Sequence, residues 1–168
     1  MRYRRNFVAG GRYFFTVVTH NRQPLLTTDD SINTLRNALR HVRHKYPFEL
    51  DAMVVLPDHL HCIWSLPIDD ADFARRWRLI KTWFSKHSEV GKASQSSVWQ
   101  RRYWEHTLRD DEDVARHVDY IHYNPVKHGY VARAGDWPYS SFRKFVRLGV
   151  YSEEWAVEPG RLEGVGWE

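Results

Sequence analysis

The segment from residue 48 to residue 66, FELDAMVVLPDHLHCIWSL, decides the predicted fold. Residues 48–57 and residues 59–66 are both rich in apolar and β-branched side chains, which is typical of buried strands. Only Pro57 and Asp58 separate the two runs. We therefore predict two antiparallel strands joined by a tight hairpin.

Two histidines on alternate residues stand out in the second of these strands. Successive strand residues point to opposite faces, so His59 and His61 project from one face while Leu60 and Cys62 enter the core on the other. Imidazole is a common metal ligand, and the pair offers half of a metal site. The alternative is a strand that has one polar face and binds no metal.

The runs outside the hairpin alternate between strand and helix patterns. The predicted elements are a strand at 12–19, a helix from Ile32, a helix capped by Asp69 or Asp70, a loop at 91–97, a strand at 98–109 and a helix at 110–124. The last helix should end near Asn124, because the residue before Pro125 disfavours the helical region. The order predicts an α+β fold of the ferredoxin-like, split β-α-β type, with a central antiparallel sheet and an extra C-terminal helix.

The length predicts one domain with its own core, and the composition suits a nucleic-acid partner. The chain has 25 Lys and Arg against 21 Asp and Glu, and 15% of its residues are aromatic. Basic and aromatic side chains together suit single-stranded DNA, although a solvated basic surface has the same composition. Cys62 is the only cysteine, which excludes an internal disulfide. No apolar run approaches the ~18 residues of a membrane span.

The helix at 110–124 carries a tyrosine and an asparagine one turn apart. Tyr120 and Asn124 are spaced i, i+4 and share a face. A tyrosine hydroxyl can act as a covalent nucleophile, and an amide oxygen can bind a hard cation. Tyr123 is the rival nucleophile, but at roughly 100° per residue it points about 60° away from Tyr120. The alternative is a helix end that only packs on the sheet.

Four stretches in this order resemble the REP-associated tyrosine transposases, relatives of the IS200/IS605 transposases in the HUH single-strand nuclease superfamily. They are GGRYFFTVVTHNRQPLL (10–26), VVLPDHLHCIWSLP (54–67), VWQRRYWEHTLRDDEDVARHVDYIHYNPVKHGYV (98–131) and DWPYSSF (136–142). The resemblance implies that His59, His61 and Asn124 bind Mg²⁺ or Mn²⁺ and that Tyr120 is the nucleophile. It also implies an HUH-type transposase domain at residues 1–150, followed by a tail at 151–168 whose role the sequence leaves open.

The resemblance also implies the activity: a metal-dependent single-stranded DNA endonuclease and strand transferase that acts at REP-like hairpins through a 5′-phosphotyrosine. The alternative is a catalytically inactive hairpin-binding regulator with the same fold. We expect a bacterial cytoplasmic, nucleoid-associated protein without a membrane anchor, most simply a monomer, with a dimer left open. The predicted DNA contacts are Arg4, Arg5, Arg75, Arg78, Lys81, Arg101, Arg102, Trp104 and Lys127.

Overall fold

Four strands form one antiparallel sheet in the computed structural model, which describes residues 4–158 and 160–166. The strands are β1 (Arg12–Val18), β2 (Glu49–Val55), β3 (His59–Ser65) and β4 (Trp104–Thr107). Their order in the sheet is β2-β3-β1-β4, and all neighbours pair antiparallel. The ferredoxin-like prediction is confirmed, and the histidine-bearing strand β3 lies in the middle of the sheet.

Helices cover both faces of this sheet. They are α1 (Asp29–Lys45), α2 (Phe73–His87), α3 (Glu89–Ala93), α4 (Asp111–Lys127) and α5 (Phe142–Arg147), with 3-10 turns at His20–Arg22 and Ala134–Asp136. Helices α1 and α2 share one core cluster with the sheet, and α4 and α5 share the other. Within the described ranges, no helix is long and apolar enough to span a membrane.

The alternation of side chains along β3 assigns them to the two cores. Leu60, Cys62 and Trp64 are at most 1% exposed and pack with the helices α1 and α2. Ile63 faces the other way, into the cluster that contains α4. The prediction that Leu60 and Cys62 are core residues is confirmed, so His59 and His61 face α4.

The start of α2 differs from the prediction, which named Asp69 or Asp70 as its N-cap. Asp72 caps the helix instead, and its side chain accepts from the Arg75 amide at 3.0 Å. Asp70 has another partner, because its carboxylate accepts two hydrogen bonds from the buried Arg76 guanidinium. This ion pair fixes the loop that leads into the helix.

The predicted fourth strand at 98–109 is too long. Only Trp104–Thr107 pairs as strand β4, and Trp99 makes an isolated bridge with Thr19. The residues between them loop out of the sheet, so the aromatic and basic composition of the segment does not reflect continuous pairing. The loop predicted at 91–97 is also partly wrong, because helix α3 occupies Glu89–Ala93.

Helix α4 continues past its predicted end at Asn124 and includes Pro125. A proline within a helix removes one backbone donor, so Pro125 cannot donate to the carbonyl four residues before it. The amides of His128 and Tyr130 donate to the carbonyls of Asn124 and Pro125 at 3.0 Å each and close the helix end. The extra turn carries Lys127 toward the face that holds Tyr120.

Candidate functional site

The two histidines of β3 are buried and held in fixed orientations. His59 and His61 are 2% and 0% exposed, and their ring centroids are 4.9 Å apart. The Nδ1 atom of His59 lies 2.7 Å from Asp58 Oδ1, and the Nδ1 atom of His61 lies 2.8 Å from the Thr16 hydroxyl. Each ring is therefore anchored through Nδ1, the arrangement that orients Nε2 as a ligand nitrogen.

Tyr120 of α4 packs on His61, one member of this pair. Its ring centroid lies 5.2 Å from that of His61 and 5.8 Å from that of Phe14. The Lys127 ammonium, two turns later on α4, donates a hydrogen bond to the Tyr120 hydroxyl at 3.2 Å. The side chain of Tyr120 thus lies between an imidazole and a cation, and it is only 3% exposed.

Asn124 lies on the same face of α4, between two contacts with the histidine pair. One turn before it, Tyr120 touches His61, and one turn after it, the ring of His128 lies 5.3 Å from that of His59. Asn124 itself is 0% exposed. The helix spacing therefore presents its amide to the histidine side of the sheet.

The last described residues fold back over α4. The Arg116 side chain donates to the carbonyls of Arg161 and Glu163, and Arg161 pairs with Asp119 at 3.1 Å. Gly166 comes so close to Tyr120 that a methyl group built on it would lie 2.4 Å from the ring. The role of the tail was open from the sequence, and the structure places it on the tyrosine.

The division into residues 1–150 and a tail at 151–168 stays a prediction. In the structure, Tyr151 and Val165 belong to the same apolar cluster as α4.

A second polar cluster lies nearby, where β4 meets the start of α4. His106, Asp113 and His117 offer potential metal-ligand atoms within 4.8 Å of one another. Asp113 accepts from His106 Nε2 at 2.9 Å, and His117 Nδ1 donates to the Asp113 carbonyl at 2.8 Å. Burial opposes the ionisation of Asp113, but the hydrogen bonds from His106 and the Arg109 amide leave its pKa below the ordinary value.

These hydrogen bonds give the second cluster a structural role, because they join β4 to α4. Burial lowers the pKa of His117, which favours its neutral form. The ring of Phe14 separates the cluster from the histidine pair, at 4.9 Å from His117 and 5.3 Å from His61.

The predicted DNA contacts fall into two groups. Arg75 and Arg78 are exposed on α2, across the sheet from Tyr120. Lys81 is also on α2, but its ammonium reaches the segment before β4 and donates to the Gln100 carbonyl at 2.9 Å. The others described lie at the terminus before β1, on or just before β4, or on the last turn of α4; they are Arg4, Arg5, Arg101, Arg102, Trp104 and Lys127. Their contact with DNA stays a prediction.

Three residues contact the predicted site residues in a way that the sequence did not indicate. Asp58 was assigned only to the turn, and Thr16 only to a strand. Lys127 was assigned to DNA rather than to Tyr120. Antiparallel pairing of β1 with β3 places Thr16 opposite His61, so the strand register was the signal that would have found it.

The family model described as "Transposase IS200 like" matches residues 8–124, a span that contains the histidine pair, Tyr120 and Asn124. The chain belongs to the IS200-like transposase family. Among proteins similar to this IS200-like transposase, the REP-associated tyrosine transposase of Escherichia coli K12 is 48% identical over 155 residues, covering 92% of this chain and 90% of that protein. A Haemophilus influenzae protein is 45% identical over 166 residues, covering 94% of each chain.

A solved structure gives the same result at the level of the fold. It is the structure of a REP-associated tyrosine transposase bound to a REP hairpin, with 45% sequence identity and a TM-score of 0.83. The match covers 94% of this chain and 92% of that chain. The sequence-based assignment to this group of transposases is confirmed.

Proposed function

We propose that this IS200-like transposase is a metal-dependent single-stranded DNA endonuclease and strand transferase that acts at REP-like hairpins through a 5′-phosphotyrosine. The observation that carries the proposal is the packing of Tyr120 on His61, at 5.2 Å between ring centroids. The bound REP hairpin in the structure of a 45% identical relative supports the choice of substrate.

His59, His61 and Asn124 would hold the divalent cation. The anchoring of both imidazoles through Nδ1 and the buried amide facing them suit a cation ligated by two Nε2 atoms and one amide oxygen. A divalent cation at such a site withdraws charge from a non-bridging phosphate oxygen and orients the scissile group. Because the ligands are uncharged and two are imidazoles, we expect Mn²⁺ to bind more tightly than Mg²⁺.

The second cluster is a weaker candidate for this cation. His106 and His117 already hydrogen bond to Asp113, and the ring of Tyr120 packs on that of His61. The histidine pair is therefore the site that we associate with the chemistry.

Tyr120 would attack the phosphorus of the scissile phosphodiester. The phenolic oxygen loses its proton and forms the new O–P bond, while the bond to the 3′ oxygen breaks and leaves a free 3′-OH. The 5′-phosphotyrosine retains the energy of the phosphodiester, so a later attack by a 3′-OH can rejoin a strand without ATP. This exchange makes the endonuclease also a strand transferase.

Lys127 would assist this step from the side of the tyrosine. An ammonium that donates to the phenolic oxygen at 3.2 Å stabilises the negative charge that develops on that oxygen as the proton leaves. The same ammonium lies 4.9 Å from the centroid of the Tyr120 ring, so it contacts the ring as well as the hydroxyl.

The proposed site is composed of residues from one chain. Strand β3 supplies the histidines, and α4 of the same chain supplies Tyr120, Asn124 and Lys127. We therefore propose that a monomer is sufficient for cleavage.

One observation favours the alternative, a hairpin-binding regulator without catalysis. Tyr120 is only 3% exposed, and Gly166 lies on its ring, so the hydroxyl has little room for a DNA backbone in this conformation. Under this alternative the hairpin binds but no covalent link forms.

A covalent adduct separates the two functions. The protein is incubated with hairpin DNA that carries a single-stranded extension, in the presence of Mn²⁺, and run on a denaturing gel. An endonuclease should give a slow-migrating protein–DNA band for the wild type and lose it in Tyr120→Phe. The regulator would be supported if the wild type binds the hairpin but gives no band, and if removal of the tail at 151–168 does not produce one.

A further inference from the structure

The edge of the sheet beside β4 opens into a cavity of about 270 Å³. On strand β1, Thr16 pairs with Trp104 of β4. Two residues later on β1, the Val18 carbonyl accepts a hydrogen bond from the Gln100 amide at 2.9 Å. Residues 101–103 therefore lie opposite Val17 alone and loop away from the sheet. Thr16, Val18, Gln100, Arg102 and Trp104 line the space that this loop leaves.

The cavity shares a wall with the candidate active site. Thr16 lines the cavity, and its hydroxyl is 2.8 Å from Nδ1 of His61. Trp104 packs edge-on against Phe14 at 5.8 Å, and Phe14 in turn touches both His61 and Tyr120. A nucleotide next to a phosphate at the histidine pair is therefore within reach of the cavity.

Two cationic side chains hold the loop that forms the cavity. The Arg5 guanidinium lies 3.8 Å from the Tyr103 ring centroid and donates to the Tyr103 carbonyl at 3.0 Å. Lys81 lies 5.1 Å from the same centroid and donates to the Gln100 carbonyl at 2.9 Å. Two cations thus hold the loop, while the side chains of Arg101 and Arg102 are exposed to solvent.

The lining suits an aromatic ring attached to an anionic backbone. Val18 and the half-buried indole of Trp104 provide an apolar wall, and a nucleobase stacks on such a ring whatever its sequence. The exposed guanidinium of Arg102 at the rim can pair with a phosphate. A base pair is too large for a cavity of about 270 Å³, so only an unpaired base can enter it.

We propose that this cavity is a nucleobase pocket, which takes one unpaired base of the single-stranded DNA beside the scissile phosphate and stacks it on Trp104. The proposal rests on the proposed function, since it needs a DNA strand at the histidine pair. It assigns Trp104 and Arg102 to the choice of cleavage position rather than to general attraction of DNA.

The test uses hairpin DNA with a single-stranded extension in which 5-iodo-deoxyuridine replaces one base at a time. The protein is Tyr120→Phe, so that cleavage does not consume the complex, and ultraviolet crosslinks are mapped by mass spectrometry. We expect one extension position to crosslink to Trp104 and its neighbours on either side to do so much less.

A cleavage measurement provides the second arm. Trp104→Ala should reduce adduct formation at least tenfold on intact DNA, but should have little further effect when that one position is already abasic. Trp104→Phe should restore most of the rate, and Gln100→Trp, which fills the cavity without removing a core side chain, should mimic Trp104→Ala. Trp83→Ala, on α2 across the sheet, is the matched control.

The outcomes distinguish the pocket from the enzyme. The pocket would be overturned if Trp104→Ala and Gln100→Trp form the adduct at the wild-type rate, or if no extension position crosslinks to Trp104. Either result would leave the proposed endonuclease activity unaffected. Absence of any adduct in the wild-type protein would instead contradict the proposed function on which the pocket rests.

Discussion

Gly166 lies directly on the ring of Tyr120, at a distance that leaves no space for a β-carbon. The backbone of Gly166 has φ +74, a conformation that glycine adopts readily and other residues rarely. The end of the described chain therefore covers the proposed nucleophile, and any DNA strand must displace it.

We predict that Gly166→Ala increases the initial rate of adduct formation severalfold, because the added methyl group cannot coexist with the Tyr120 ring. Gly164→Ala is the matched control, since Gly164 has φ +75 but a β-carbon at that position would meet no atom within 4 Å. Both variants carry the same backbone strain, and only one carries the clash. Equal rates for the two variants would show that the tail does not limit access to Tyr120.

Lys127→Met should slow adduct formation by roughly 10- to 100-fold, the usual effect of losing one hydrogen bond from a charged donor. The cause is the loss of the ammonium that lies 3.2 Å from the Tyr120 hydroxyl. Single-turnover rates at saturating hairpin DNA separate this effect from weaker binding. Lys144→Met removes an exposed cation on α5 and should retain the wild-type rate.

Thr16→Val and Asp58→Asn should each weaken Mn²⁺ binding by about 10- to 100-fold, the range found when partners of ligating histidines are removed. Thr16→Val removes the hydroxyl that lies 2.8 Å from Nδ1 of His61, and Asp58→Asn replaces the carboxylate that lies 2.7 Å from Nδ1 of His59 with an uncharged, weaker acceptor. Calorimetric titration with Mn²⁺ measures the affinity directly. Thr34→Val, at a buried position on α1, is the control, and unchanged affinity in both site variants would refute the proposed ligand orientation.

Acid should loosen α4 through His122. Burial lowers the pKa of this imidazole from 6.5 to about 3, and its nitrogens contact the hydroxyls of Tyr151 and Ser141 at 3.1 and 2.7 Å. Between these pH values the unfolded chain binds the proton more readily than the folded one. The stability that neutral His122 contributes is therefore fully present above pH 6.5 and is lost as the pH falls toward about 3.

Denaturant unfolding at successive pH values measures this loss, which we expect to be on the order of a few kcal/mol. His122→Gln should be less stable near neutral pH but should lose less stability on acidification. His44→Gln, at an exposed position on α1, should follow the wild-type profile. A parallel pH dependence in His122→Gln would exclude this residue as the source.

The sequence predicted the parts of the fold and site that depend on local spacing. Strand alternation placed His59 and His61 on one face, and helix spacing placed Tyr120 and Asn124 together one turn apart. Contacts that depend on long-range register could not be read in this way. The hydrogen bond of Thr16 to His61 requires the pairing of β1 with β3, and the loop at 101–103 requires the packing of Arg5 and Lys81 beneath it.

The tail and Pro125 show the same limit. Nothing in the spacing of residues 151–168 indicates that they return to α4, because the contact depends on where Tyr120 lies in three dimensions. From the sequence, Pro125 could lie in the last turn of the helix or just after the helix ends. The hydrogen bonds from the His128 and Tyr130 amides to the carbonyls of Asn124 and Pro125 continue the helix past it.

The role of Tyr120 as the nucleophile is tested by comparing Tyr120→Phe with Tyr123→Phe in the adduct assay with hairpin DNA and Mn²⁺. The two tyrosines are three residues apart on α4, and Tyr120 is the one with a described ring contact to His61. We predict that Tyr120→Phe binds the hairpin but forms no covalent adduct, whereas Tyr123→Phe forms one. An adduct that persists in Tyr120→Phe and disappears in Tyr123→Phe would contradict this assignment.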